Sequence, residues 1–132
     1  VSDIERIKAR ALAARQFSVA CGSRNYVLQL PTPHELEVAA AKRSEGDLGM
    51  VEFFRAQLER AMVGWQGVRE CDFAPGTELP IIGGTLEPPI SFSAELVPWL
   101  LDAQPADAEQ LRTALIDALA KRRERIEAAA KN

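Results

Sequence analysis

The side chains most suited to chemistry are one imidazole and two thiols: His34, Cys21 and Cys71. A thiol beside an imidazole makes a nucleophile and its base, and either group with nearby carboxylates can hold a metal ion. The spacing supports neither use. The two cysteines stand far apart, no second histidine exists, and no Cys-x-x-Cys pair occurs. His34 falls within Pro31-Thr32-Pro33-His34-Glu35, a helix start, where an exposed side chain is expected. Glu35, Glu37, Glu52 and Glu59 read as solvated helix faces, not as a paired acid and base. Gly83-Gly84 lacks the Lys-Ser/Thr that must follow a phosphate-binding loop. The expectation is a protein with no catalytic residues, no metal and no cofactor, whose cysteines are reduced, part-buried thiols.

Composition narrows the class further. A chain of 132 residues suits one domain with a modest core, and an aromatic share of 6% leaves Leu, Val, Ile and Ala to do most of the packing. The formal charge of -3 argues against nucleic-acid binding by bulk charge. No apolar run reaches the roughly 18 residues of a membrane span, and no signal-peptide core opens the chain, so a cytosolic protein is expected.

The elements follow from local pattern. Ser2 and Glu5 fit a capping box at the head of an amphipathic helix to Gln16, with Ile4, Ile7, Ala11 and Ala14 on one stripe and Leu12 beside it. This helix is expected to pack on its own domain, the alternative being an arm offered to a neighbouring subunit. Phe17 to Cys21 and Tyr26 to Leu30 read as a β-hairpin across Gly22-Ser23-Arg24-Asn25, with Phe17, Val19 and Cys21 on one side. A lone hairpin is marginal in water, so the next helix is expected to cover it. That helix opens with Thr32 as N-cap, Pro33 in the first turn and Glu35 closing the box, and runs to about Arg43.

After a polar loop from Ser44 to Gly49, a central helix is expected from Met50 to Val63, with Phe53, Phe54, Gln57, Leu58, Ala61 and Met62 on its apolar face. It stops at Gly64-Trp65-Gln66-Gly67. The connection from Arg69 to Pro89 is rich in Pro and Gly, and its Leu79, Ile81, Ile82 and Leu86 suggest a short extended piece. Ser93 is the expected cap of a helix to Asp102, in which Pro98 fits only if the helix begins later. Gln104-Pro105-Ala106 breaks it. Asp107 with Gln110 then caps a last helix carrying Leu111, Leu115 and Leu119, with Ile116, Ala118 and Ile126 beside them. Lys121, Arg122, Arg123 and Arg125 complement the helix dipole or meet an acidic partner, and Ala128-Ala129-Ala130 is expected to fray. The fold class is α+β: a predominantly helical single domain over residues 1–132 with a small N-terminal β-hairpin. Its parts are a helix over 1–16, hairpin, helices and long loop over 17–106, and an amphipathic helix over 107–132.

Three segments carry a resemblance. They are the strand Tyr26–Leu30 running into Pro31-Thr32-Pro33-His34-Glu35-Leu36, the turn Met62-Val63-Gly64-Trp65-Gln66-Gly67-Val68, and the helix start Ile90-Ser91-Phe92-Ser93-Ala94-Glu95-Leu96. Over residues 24–102 the chain resembles the tail assembly chaperones of long-tailed bacteriophages and prophages. The resemblance implies a non-enzymatic protein of the bacterial host cytoplasm. Such a protein coats the tape measure protein, keeps its apolar stripe soluble and recruits tail tube protein subunits. It also implies a longer product made by a minus-one ribosomal slip, for which Ala130-Lys131-Asn132 is the peptide that an A AAA AAC heptamer encodes.

Binding of a helix in a groove uses apolar anchors at helical spacing. The candidates are Phe54, Leu58, Trp65, Phe92, Leu96 and Trp99. A homo-oligomer is open; nucleic acid and membrane are not expected partners. The competing readings are a structural virion tail or connector protein, and a small DNA-binding regulator using Lys121 to Arg125.

Overall fold

A computed structural model describes residues 2–46, 49–76 and 87–131. The order is α1 (Asp3–Ala14), β1 (Gln16–Cys21), β2 (Arg24–Gln29), α2 (Pro33–Gly46), α3 (Met50–Ala61), β3 (Met62–Gln66), α4 (Val97–Ala103) and α5 (Pro105–Lys131). Single 3-10 turns cover Glu70–Phe73 and Ala94–Leu96. The expected α+β class, mostly helical, holds. The hairpin, however, is two-thirds of a three-stranded antiparallel sheet ordered β1-β2-β3.

β1 and β2 pair from Gln16↔Gln29 to Cys21↔Arg24 around the two residues Gly22 and Ser23, with Gly22 at a φ of 62°. Such tight hairpins need a left-handed residue, which glycine adopts without a Cβ clash. Phe17, Val19 and Cys21 share a face with Tyr26 and Leu28, as their register requires. β3 replaces the expected last turn of the central helix: α3 ends at Ala61, and Met62 begins a strand. Pairing runs Tyr26↔Trp65 and Val27↔Gly64, then Leu28↔Met62, so Val63 is an extra residue in the ladder. In a regular strand Met62 and Trp65, three apart, would point to opposite faces. The bulge at Val63 turns both inward, and both are buried.

α5 and α3 close over this sheet. Leu111 and Leu115 of α5, Leu58 of α3 and Leu100 of α4 meet Tyr26, Leu28 and Trp65 in one core. Full burial of each such leucine is worth about 1.5–3 kcal/mol over exposure. The expectation that the helix after the hairpin would cover it is thus corrected: a helix far along the chain takes that place, and α2 buries only Ala39. α1 is also not packed on the domain. The core face of the sheet is filled by α5 and α3, and every described residue of α1 is exposed, with Ile4 at 66% and Ile7 at 61%.

Helix starts and ends follow local chemistry. The Glu5 N–H donates to the Ser2 hydroxyl, and at α2 the Glu35 N–H donates to the Thr32 hydroxyl while the Thr32 N–H donates to the Glu35 carboxylate. α2 runs three residues past Arg43, to Gly46. Pro98 lies in the first turn of α4, which begins later than Ser93, and Ser93 makes no side-chain cap bond. Pro105 opens α5 in the same way, and α5 stays helical through Ala128-Ala129-Ala130 to Lys131. The expected extended piece at Leu79, Ile81, Ile82 and Leu86, and the Gly83-Gly84 pair, lie outside the described residues.

Candidate protein-docking surfaces

The side chains with chemical potential are not assembled. His34 is exposed at the start of α2, beside the end of the hairpin where Arg15 meets Glu35 at 3.6 Å. Cys21 lies at the turn end, five residues of strand away, or roughly 17 Å. It is buried, and burial first, then the Asp107 charge, pushes its thiol pKa up. Cys71 is exposed, against the expectation that both thiols would be part-buried. Among the described residues no three His, Cys, Asp or Glu side chains are grouped to hold a metal ion.

Among the described residues, a dense polar cluster forms that local pattern does not announce. Asp107, read as a helix cap, is instead buried at 6% exposure in the first turn of α5. The Tyr26 hydroxyl donates to its Oδ2 at 2.6 Å, and Arg24 Nε donates to the same atom at 2.7 Å. Arg24 also donates to Asp72 at 2.8 Å and to Gln104 at 3.2 Å, and the Gln104 amide donates to the Asp72 carbonyl. Burial, followed by the hydrogen bond to Asp107, raises the Tyr26 pKa; the hydrogen bond to Asp107 raises that of Arg24. Both therefore hold their protons across the physiological range. Each donor here already has its acceptor, so the cluster braces the hairpin against α5 and the Glu70–Phe73 turn.

The three segments behind the family resemblance form one continuous unit. Trp65 pairs with Tyr26 across the sheet, and its Nε1 donates to the Ile90 carbonyl at 2.9 Å. Its ring meets Phe92 edge-on at 4.8 Å, and Phe73 at 6.4 Å. The Ile90 N–H donates to the Val68 carbonyl at 2.7 Å, which brings the chain back beside the strand. Gly67, at a φ of 77°, passes so close to the hairpin turn that a Cβ would lie 2.2 Å from the Ser23 carbonyl oxygen. The Gly-Trp-Gln-Gly motif is a strand end and an anchor, not a helix stop.

These placements sort the six candidate anchors. Leu58 and Trp65 are buried in the core, while Phe92 and Leu96 are partly buried against it. Phe54 is half-buried with its ring edge-on to Phe53 at 5.2 Å. Trp99 is 71% exposed. Phe54 and Trp99 are therefore the two that a partner reaches without disturbing the fold.

Between the helices lie open apolar grooves that the six did not name in full. One, of about 940 Å³, runs between α2, α3 and α5 and is lined by Leu36, Ala40, Phe54, Leu119 and Ile126. Glu37, Arg122, Arg123, Glu124 and Glu127 edge it with mixed charge. Leu119 and Ile126 sit one heptad apart on α5, the signal that could have located this groove. A second, of about 690 Å³, lies between α3, α4 and α5.

The basic run is largely engaged within the chain. Lys121 pairs with Asp117 at 3.0 Å, Arg123 with Glu127 at 3.2 Å, and Arg122 donates to the Pro31 carbonyl. Among the described residues no helix is long and apolar enough to cross a membrane. No family model, curated protein or solved structure matches the chain.

Proposed function

We propose that the protein is a tail assembly chaperone of a long-tailed bacteriophage or prophage, working in the host cytoplasm. It binds the helical tape measure protein and helps recruit tail tube subunits. The supporting observation is the open groove between α2, α3 and α5, whose Leu36, Phe54, Leu119 and Ile126 offer an apolar bed with charged edges. Such a bed accepts the apolar stripe of an amphipathic helix, with anchors at i, i+3, i+4 and i+7. A tape measure protein has a long stripe of this kind to keep out of water until the tube grows around it. The resemblance over residues 24–102 supplies the identity of the client, and the groove supplies a means of holding it.

Co-expression with the tape measure protein of the same phage tests the reading. The chaperone is expected to raise the soluble fraction of the tape measure protein and to co-purify with it. Ile126→Asp, which places a charge at a 52%-exposed position on the groove, is expected to abolish both effects without unfolding the chain. A tape measure protein that stays insoluble and never co-purifies defeats the proposal.

A further inference from the structure

α1 presents an apolar stripe that nothing in the described chain covers. Ile4, Ile7 and Ala11 share one side of the helix; at 100° per residue Lys8 borders that stripe on one flank, and Asp3 and Arg10 border it on the other. Arg6 is held by Asp3 at 3.1 Å, whereas Lys8 and Arg10 have no ion pair among the described residues. A helix of 12 residues is marginal alone in water and gains most of its stability by burying such a face.

The groove between α3, α4 and α5 has the complementary character. Val51, Ala56, Leu101 and Ala108 line it, and four carboxylates on its rim face only two guanidinium groups. Arg55 is already engaged by Glu59 at 3.0 Å and Asp102 at 2.7 Å. Glu52 and Glu109 are left without an ion pair among the described residues, and Arg112 is the remaining cation. The other two sizeable grooves do not match a stripe flanked by cations: one has mixed edges, and the one beside the root of α1 carries Arg15, Lys121 and Arg125.

The chain's own α1 is rooted at the wrong end of α5 for this groove. Arg15 is fixed where its guanidinium donates to the Leu30 carbonyl, and Leu30 in turn donates to the Arg15 carbonyl. Arg122 lies against this root through Pro31. Arg122 is about ten residues along α5 from Arg112 at the groove, or roughly 15 Å.

We propose that α1 of one copy lies in the groove between α3, α4 and α5 of a second copy. Its Ile4 and Ile7 cover Val51 and Ala108, and Lys8 and Arg10 meet the acidic rim at Glu52 and Glu109. When the exchange is mutual it closes a two-fold dimer with two identical contacts. The groove used differs from the one assigned to the tape measure protein, and the dimer does not depend on that client.

Sedimentation equilibrium of the purified full chain over a range of concentrations tests this. The wild type is expected to move from monomer to dimer. Ile7→Asp is expected to weaken dimerisation by at least ~10-fold while leaving the near-ultraviolet circular dichroism of the core aromatics unchanged, because Ile7 is exposed in the monomer and touches none of them. Two charge-reversed chains provide the sharper readout: K8E/R10E and E52K/E109K are each expected to be monomeric alone and to form a heterodimer when mixed. A wild type monomeric at all concentrations, an Ile7→Asp dimer as tight as wild type, or a mixture that fails to associate would each overturn the proposal.

Discussion

At the scale of single residues, Asp107 joins the hairpin to α5 from a buried position. Its carboxylate answers both the Tyr26 hydroxyl and the Arg24 guanidinium within a buried space. Removing it leaves two donors without an acceptor, so Asp107→Ala is expected to destabilise by about 3 kcal/mol. Tyr26→Phe, which deletes one donor and keeps the ring, is expected to cost about 1 kcal/mol. Urea titration of both variants checks the ranking; equal losses would mean that the carboxylate is not the hub. The thiols offer an independent reading of burial. Cys71 is exposed and Cys21 is 3% exposed with its pKa raised, so a thiol reagent is expected to modify Cys71 in the native chain and Cys21 only on unfolding. Mass spectrometry after a timed quench distinguishes the two sites. Local pattern does not reveal the role of Asp107 for a physical reason: an Asp shortly after a helix-breaking Pro is good capping chemistry locally, and its partners lie some 80 residues upstream.

At the scale of elements, what was legible was what is local. Thr32, Pro33 and Glu35 describe a helix start within four residues, and the reciprocal bonds form as that spacing requires. Thr32 holds the Glu35 carboxylate below the usual range, chiefly through its backbone N–H and then its hydroxyl. A depressed carboxylate contributes stability above its unfolded pKa of about 4.3 and loses it as pH falls through the lower folded value. The acid side of the urea stability profile is therefore expected to flatten in Glu35→Gln. The strand β3 was not legible, because Leu58, Ala61 and Met62 continue a helical apolar pattern and the competing signal comes from β2, distant in sequence. The glycines around it differ in kind. A Cβ on Gly64 makes ordinary contact with Val27 at 3.6 Å, while one on Gly67 strikes backbone at 2.2 Å with a left-handed φ. Gly67→Ala is expected to cost more than about 2 kcal/mol and Gly64→Ala less than about 1 kcal/mol, as thermal melts can resolve.

At the scale of the whole molecule, the division is between a core that spans Cys21 to Leu115 and surfaces that it leaves open. The stripe on α1 was legible as an amphipathic pattern. Its lack of cover was not, because periodicity shows that a face is apolar and says nothing of what meets it. The same limit explains the candidate anchors: Leu58 and Trp65 have the composition of a docking site and the position of a core. Because no described residue of α1 is buried, deleting residues 1–14 is expected to change monomer stability by no more than ~0.5 kcal/mol in dilute solution. A large loss in the urea midpoint would show that α1 belongs to the core after all.

The late position of the helix that roofs the sheet has a consequence for synthesis. When the ribosome has joined Leu30, completing the hairpin, it must still add 85 residues to reach Leu115. At about 5–20 residues per second this leaves Phe17, Tyr26 and Leu28 without their roof for roughly 4–17 seconds. The nascent chain thus passes through an interval of adhesive exposure on every round of translation, and slower elongation between β2 and α5 should lower the yield of folded protein more than the same delay after Leu115.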